Sequence, residues 1–192
     1  MSSFESLVEE VRQCQTCAAH LAHGTRPVFQ ASRAARLLIA SQAPGSKVHA
    51  SGVPFADRSG DRLRAWTGLS SSLFYDAQKV AILPMGFCYP GRGAGGDAPP
   101  RGECAPLWRS RLLAQMSEIR LTLLVGSYAQ TAALGPGKVE NRVRSFRDYL
   151  PDYFALPHPS WRSQLWVERN PWFEADVLPA LRSEVEQALA KV

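Results

Sequence analysis

Residues 37–60 read LLIASQAPGSKVHASGVPFADRSG, and this stretch decides the fold. It begins with a short apolar run, residues 37–40, which stops at the motif Ser41-Gln42-Ala43-Pro44-Gly45. A run of this length that is ended by proline and glycine is typical of a strand buried on both faces of a sheet. Open α/β sheets bind their ligands in the loops that follow such strands. The stretch therefore predicts a buried strand followed by a binding loop.

The predicted loop carries side chains that suit a planar, polar ligand. They are an amide, an imidazole, an aromatic ring and a carboxylate, on Gln42, His49, Phe55 and Asp57. The ring could stack on a flat ligand while the polar groups hydrogen-bond to its edge. The alternative is an ordinary strand-to-helix connection in which Phe55 packs in the core.

Similar apolar runs recur along the chain and predict strands at 36–41, 79–84, 121–126 and 153–157. Helices are predicted at 3–13, 59–68, 105–117, 127–134 and 174–190, with a short helix or turn at 70–77 and a helical or irregular segment at 138–150. Strands that alternate with helices imply right-handed crossovers and a parallel sheet covered on both faces. We therefore expect an α/β fold, a three-layer α/β/α sandwich with a small four-stranded parallel sheet, as a single domain over residues 1–192.

The composition is that of an ordinary globular domain. The chain has 192 residues, of which 45% are hydrophobic and 20% charged, enough for one substantial core. No apolar run approaches the roughly 20 residues of a transmembrane helix. The N-terminus, MSSFESLVEEVRQC, is acidic and amphipathic, unlike a secretory signal. We expect a cytoplasmic protein that does not bind membranes.

The basic residues favour a phosphate-rich partner. The formal net charge is +5, and 18 of the 22 basic residues are arginines, whose forked guanidinium groups suit phosphate. Arginine enrichment also follows from a GC-rich genome, and helices commonly carry solvated arginines. The charge therefore supports a nucleic-acid partner without establishing one.

The cysteines are Cys14, Cys17, Cys88 and Cys104. Structural disulfides are rare in the cytoplasm, whereas Cys-x2-Cys is a common metal-ligand spacing. Four thiolates complete a site for zinc or for an iron–sulfur cluster, and free buried cysteines are the alternative. Cys88 lies near the start of residues 84–101 and Cys104 lies just after their end, and these residues hold five glycines and four prolines. A metal that anchors both ends would explain how so irregular a segment stays ordered.

Two motifs that follow strands, Ser41-Gln42-Ala43-Pro44-Gly45 and His158-Pro159-Ser160, occur together. This pairing resembles the uracil-DNA glycosylase superfamily, which carries a Gly-x-x-Pro-Gly-like motif after the first strand and a His-Pro-Ser-like motif after the last. The cysteine order is most similar to the iron–sulfur branch (family 4), and the sixteen-residue step from Cys88 to Cys104 matches it. The resemblance covers nearly the whole chain. It implies a structural [4Fe-4S] cluster on the four cysteines, with zinc or an empty thiol set as alternatives.

The resemblance also implies how a base would be held. A glycosylase takes its base out of the duplex before it breaks the glycosidic bond. Phe55 matches the ring on which the base stacks. His158 matches the imidazole beside the pyrimidine carbonyl oxygen, where negative charge develops as the base leaves. Gln42, Ala43 and Gly45 would position the water and the base edge.

Residues that follow His158 would contact the DNA backbone and the duplex. Ser160 matches a phosphate-holding serine, and Trp161 and Arg162 match the segment that enters the helix. Such wedges offset an unstacking cost of a few kcal/mol. The implied partner is DNA that contains a damaged or deaminated base.

Some positions depart from the family pattern. Pro84 stands four residues before Cys88, where the iron–sulfur branch has the asparagine that reads the uracil edge. Gln42 stands in place of a glutamate, and Ser41 in place of a glycine. Asp57 is the candidate that replaces the missing carboxylate, although it could equally be the N-terminal carboxylate of a helix.

The leading hypothesis is a monomeric DNA glycosylase that removes uracil or a related deaminated base. The alternative of a different class is a non-catalytic nucleic-acid-binding protein on the same scaffold, for which Pro84 is the best argument. A small α/β hydrolase that acts on nucleosides is a further alternative.

Overall fold

The computed structural model describes residues 3–190. The strands are β1 (Leu37–Ala40), β2 (Val80–Ile82), β3 (Arg92–Gly93), β4 (Gly96–Asp97), β5 (Leu121–Val125) and β6 (Tyr153–Leu156). Four of them form a parallel sheet in the order β2-β1-β5-β6, and β3 pairs with β4 as a separate antiparallel hairpin. The four strands of the sheet lie inside the four predicted intervals, so the predicted parallel sheet is confirmed.

Helices surround the sheet. They are α1 (Phe4–Arg12), α2 (Ser46–Ser51), α3 (Arg58–Thr67), α4 (Ser71–Phe74), α5 (Ser110–Leu113), α6 (Ser127–Leu134), α7 (Val139–Arg144), α8 (Gln164–Arg169) and α9 (Leu178–Leu189). Shorter 3₁₀ segments lie at Ala18–His20, Phe146–Tyr149 and Trp161–Ser163, and π-helical turns at Ala105–Arg109 and Phe173–Val177 lead into α5 and α9. Within residues 3–190, no helix is long and apolar enough to cross a membrane.

The central strand β1 is buried along its whole length, which explains its uninterrupted apolar sequence. Ile39 lies opposite Ile82 of β2 on one side and opposite Leu123 of β5 on the other. Side chains that point to one face of the sheet, such as Leu37 and Ile39, join the core formed with α3, α4, α7 and α9. This face holds the larger part of the core.

The opposite face of the sheet is covered by different helices. Leu38 packs with residues of α1 and α5, and Ala40 packs against Ala129 of α6. Each fully buried leucine or phenylalanine contributes about 1.5–3 kcal/mol relative to an exposed one. The sheet therefore has helices on both faces, as in the predicted three-layer α/β/α sandwich.

Three elements were not predicted. The polar loop after β1 contains the one-and-a-half-turn helix α2, and α8 follows the His158 motif. Inside residues 84–101, β3 and β4 form a hairpin whose neck is closed by Ala98 N, which donates to Gly91 O at 2.8 Å. The predicted helix at 105–117 is a π-helical turn and one short α-helix that ends at Leu113. Glycine-rich strands carry no apolar alternation, so the sequence gives no signal for the hairpin.

Candidate active site

A cavity of about 440 Å³ opens at the carboxyl ends of β1 and β6, and we call it the active-site pocket. All of the residues predicted to bind a base or DNA line this pocket: Gln42, Ala43, Gly45, Phe55, Asp57, His158, Ser160, Trp161 and Arg162. The parallel sheet brings them together because the strands that precede the two motifs end at the same edge. The ring of Phe55 and the imidazole of His158 therefore face one cavity.

The motif after β1 is fixed by backbone pairing. Met85 N donates to Ser41 O at 2.8 Å, and Gly86 N donates to Gln42 O at 3.0 Å. These bonds extend the ladder between β1 and β2 beyond the last residue of each strand. The backbone at Gln42 is thereby held while its side chain lies at the pocket wall.

Phe55 lies at the boundary between the pocket and the core. It has a left-handed backbone, with φ of 54°, and its carbonyl oxygen accepts a hydrogen bond from the Tyr75 hydroxyl at 3.3 Å. Its ring packs edge-on against Phe74, with centroids 6.1 Å apart. A Cβ on Gly60 would stand 1.8 Å from the Phe55 oxygen, so only glycine fits there. The ring packs in the core, as the alternative interpretation expected, and it also lines the pocket.

Asp57, like Phe55, contributes both to the fold and to the pocket. It is the N-cap of α3, where its Oδ1 accepts a hydrogen bond from Gly60 N at 2.9 Å. Its carboxylate also lines the pocket, and its charge acts on His158. The capping bond engages one of its two oxygens.

The loop that carries His158 is tied to two neighbouring elements. Arg62 of α3 donates to Ser160 O at 2.5 Å, and the Ser163 hydroxyl donates to His158 O. Gly126, directly after β5, has φ of 84°, and a Cβ there would lie 3.3 Å from the Cβ of His158. The imidazole is therefore positioned from the α3 side and from the sheet edge.

The surroundings of His158 favour its neutral imidazole. Burial lowers its pKa below the usual 6.5, and the negative charges of Asp57 and Asp97 only partly oppose that effect. A neutral imidazole can still donate a hydrogen bond from its N–H. Asp97, on β4, was missed by sequence reasoning although it lines the same pocket.

The rim of the pocket exposes large side chains. Trp161 is 75% exposed, and the guanidinium of Arg162 lies 5.5 Å from the centre of its ring. Leu165, in the following helix α8, is 61% exposed but does not line the pocket. An exposed tryptophan and an exposed arginine at the mouth of one pocket form a surface suited to contact with bases and phosphates.

The structure shows where Pro84 and His49 lie relative to the pocket. Pro84 lines the pocket, so the departure from the family asparagine lies in the site itself. His49 does not line it. Its ring instead packs near Tyr89 and His23, with centroids at 5.9 Å and 6.3 Å. The position of His49 therefore does not support the ligand-binding role that the sequence suggested for it.

The family model described as "Uracil DNA glycosylase superfamily" matches residues 28–182. The match covers both pocket motifs and all four strands of the sheet. The chain belongs to the uracil DNA glycosylase superfamily. Residues of both motifs that carry the resemblance line the pocket of this superfamily domain.

A second cavity of this uracil DNA glycosylase superfamily member is lined by all four cysteines, and we call it the cysteine cavity. The thiols are free; Cys14 is partly exposed, and Cys17, Cys88 and Cys104 are buried. Trp108 donates from its indole nitrogen to Cys14 Sγ at 3.1 Å. Cys14 and Cys17 precede the segment that the family model matches, whereas Cys88 and Cys104 lie within it.

The donor set of the cysteine cavity fits an iron–sulfur cluster. Among residues 3–190, no three His, Cys, Asp or Glu side chains are grouped to hold a single metal ion. Burial raises the pKa of Cys88 to about 11, so that thiol needs a cation to become a thiolate. Apolar walls and an N–H donor to sulfur are the surroundings that tune such clusters.

Proposed function

We propose that this protein is a DNA glycosylase that hydrolyses the N-glycosidic bond of uracil, or of a related deaminated base, and leaves an abasic site. The observation that carries the proposal is the convergence of the Phe55 ring, the His158 imidazole and the motif after β1 on one pocket. The family membership supports it. A pocket of about 440 Å³ has room for a single base and part of its sugar.

The reaction needs a base that leaves with the electron pair of the glycosidic bond. Negative charge then develops on the base, and the N–H of the neutral His158 would stabilise it at a carbonyl oxygen. A preorganised donor of this kind is worth about 10²–10³ in rate. Phe55 would stack on the base, and Gln42 with the backbone near Gly45 would hydrogen-bond to its edge. Water supplies the hydroxyl group that replaces the base on C1′.

The base has to leave the duplex before it can reach this pocket. Trp161 and Arg162 stand at the rim, where they can fill the space in the stack and contact the strand. Ser160 would hold a backbone phosphate beside them. The net charge of +5 favours association with DNA, so we expect affinity to fall as salt rises.

We propose further that Cys14, Cys17, Cys88 and Cys104 hold a [4Fe-4S] cluster. The cluster would be structural, because it would join the segment that follows α1 to both ends of residues 84–101. A brown colour with visible absorption, and matching iron and sulfide contents, test this in freshly purified protein. Zinc with no colour, or no metal at all, would contradict it.

A non-catalytic nucleic-acid-binding protein is the second candidate, and Pro84 favours it. The proline side chain has neither a donor nor an acceptor for the base edge, although it lines the pocket where the family asparagine would stand. In that case the pocket would bind a base without releasing it.

Incubation with oligonucleotides that contain uracil, hypoxanthine or xanthine, followed by alkaline cleavage, separates the candidates. We expect strand scission with at least one of these bases, in single- or double-stranded DNA. DNA binding without scission for all three would support the binder instead. Light scattering on the same sample checks the expectation of a monomer.

A further inference from the structure

Asp97 is a second carboxylate at the active-site pocket, and the sequence motifs do not include it. It lies on β4 and reaches the pocket because the hairpin folds back over the motif that follows β1. Its Oδ2 stands 3.3 Å from the position that a Cβ on Gly45 would occupy. The carboxylate therefore lies directly against the motif loop.

The two carboxylates of the pocket differ in what they already bind. Asp57 uses Oδ1 to cap α3, through the bond from Gly60 N. Asp97 faces the open side of the pocket, and its side chain has no hydrogen bond or ion pair with any residue from 3 to 190. A free carboxylate can accept hydrogen bonds at both oxygens. When a DNA strand covers the pocket, Asp97 is the carboxylate that needs a new partner.

We propose that Asp97 is the catalytic residue that orients and deprotonates the attacking water. This inference rests on the proposed glycosylase function. The water oxygen forms a bond to C1′ of the deoxyribose, and the bond from C1′ to the base nitrogen breaks with its electron pair on the base. The water proton moves to the Asp97 carboxylate, from which it passes to solvent or to the base anion.

The charge of Asp97 suits the transition state better than the ground state. A carboxylate beside an anionic strand is unfavourable before reaction, since like charges repel. As the glycosidic bond lengthens, positive charge develops on the sugar ring, and the carboxylate then stabilises it. An interaction that strengthens only in the transition state increases the rate of the chemical step.

Neighbouring residues hold Asp97 at this position. Gly96 has φ of 144°, and a Cβ there would stand 2.8 Å from the guanidinium of Arg162. The hairpin is thus packed against the rim of the pocket. The hairpin lies between Cys88 and Cys104 in the sequence. Because both cysteines line the cysteine cavity, this cavity anchors the two ends of the segment that carries Asp97.

Single-turnover cleavage of the oligonucleotide that the wild type cleaves tests the proposal. We expect Asp97→Asn to lower the rate by about 10²-fold or more, the usual contribution of a general base. Binding to an oligonucleotide with a tetrahydrofuran abasic-site analogue should be unchanged or tighter, because a negative charge is lost. Gly45→Ala, at a backbone φ of −83° that alanine tolerates, should displace the carboxylate and slow the same step.

Asp57→Asn is the matched comparison, because it removes an equal charge from the same pocket while asparagine still caps the helix. It should lose less activity than Asp97→Asn, and Asp152→Asn, an exposed position away from the pocket, should lose none. An Asp97→Asn rate within about threefold of the wild type, or a larger loss in Asp57→Asn, would overturn the assignment. An inactive wild type would instead refute the glycosylase function, and this inference with it.

Discussion

The cysteine cavity and the active-site pocket differ in how their polar groups are paired. The cysteine cavity is small, its walls are mostly apolar, and the indole of Trp108 already donates to one of its sulfurs. The active-site pocket is open, and the side chains of Gln42 and Asp97 make no hydrogen bond with any of the described residues 3–190. The first cavity is the site that we propose for a permanently bound cluster. The second leaves its polar groups free for a ligand that comes and goes.

This difference predicts two kinds of mutational effect. Changes in the cysteine cavity should act on the fold, since its residues join α1, the hairpin segment and α5. Changes in the active-site pocket should act on base release or DNA binding and leave the fold largely intact. Variants in each region test this distinction.

The largest expected effect is the loss of any one cysteine. If the four thiols share a cluster, Cys88→Ser and Cys14→Ser should lose it equally and destabilise the protein by several kcal/mol, a large part of a typical total of about 5–15 kcal/mol. Thermal unfolding, with iron analysis of each variant, measures this. If the thiols are independent, Cys14→Ser should cost much less, because Cys14 is partly exposed and Cys88 is buried.

The next largest effect is expected at His158. We expect His158→Ala to slow base release by about 10²–10³-fold, because the donor to the developing negative charge is lost. DNA affinity and unfolding temperature should change little. His158→Gln keeps an N–H donor and should recover part of the rate. Full activity in His158→Ala under single-turnover conditions would show that another group stabilises the leaving base.

A smaller effect is expected at Phe55, where the pocket meets the core. Phe55→Leu keeps most of the apolar volume and should cost less than about 1.5 kcal/mol of stability. It removes the ring that would stack on the base, which is worth about 1–3 kcal/mol. We therefore expect weaker binding and slower cleavage of damaged DNA. Phe74→Leu is the control, because Phe74 packs against Phe55 and is buried away from the pocket; it should reduce stability alone.

The sheet and most of the pocket were predictable because their signals are local. Each strand is an apolar run, and β1 and β6 are followed by motifs that a parallel sheet must bring to the same edge. Helix α6 (Ser127–Leu134) was predicted to the residue, and α3 stops before Gly68, whose φ of 73° suits a helix end. In these elements local composition and tertiary packing favour the same structure.

Asp97 was not predictable because nothing near it in the sequence has a periodic pattern. It stands among four glycines and two prolines in residues 91–100, a composition that indicates a loop. Its place in the pocket depends on the hairpin, on contact with Gly45 and on the anchoring of both ends of the segment. The sequence also could not show whether Asp57 caps a helix or places a charge at the pocket. A single position at the start of α3 allows both.

The smallest expected effect, and the most direct test of pocket electrostatics, is the titration of His158. Burial lowers its pKa below 6.5, so the unfolded chain takes up the proton first as the pH falls, and the protein loses stability from about pH 6.5 down to the folded-state pKa. Asp57 and Asp97 each raise that pKa, so Asp57→Asn and Asp97→Asn should each lower it further. NMR titration of the imidazole in the wild type and in each variant measures the shift. A pKa that does not move in Asp97→Asn would mean that this carboxylate lies too far from the imidazole to share a substrate with it.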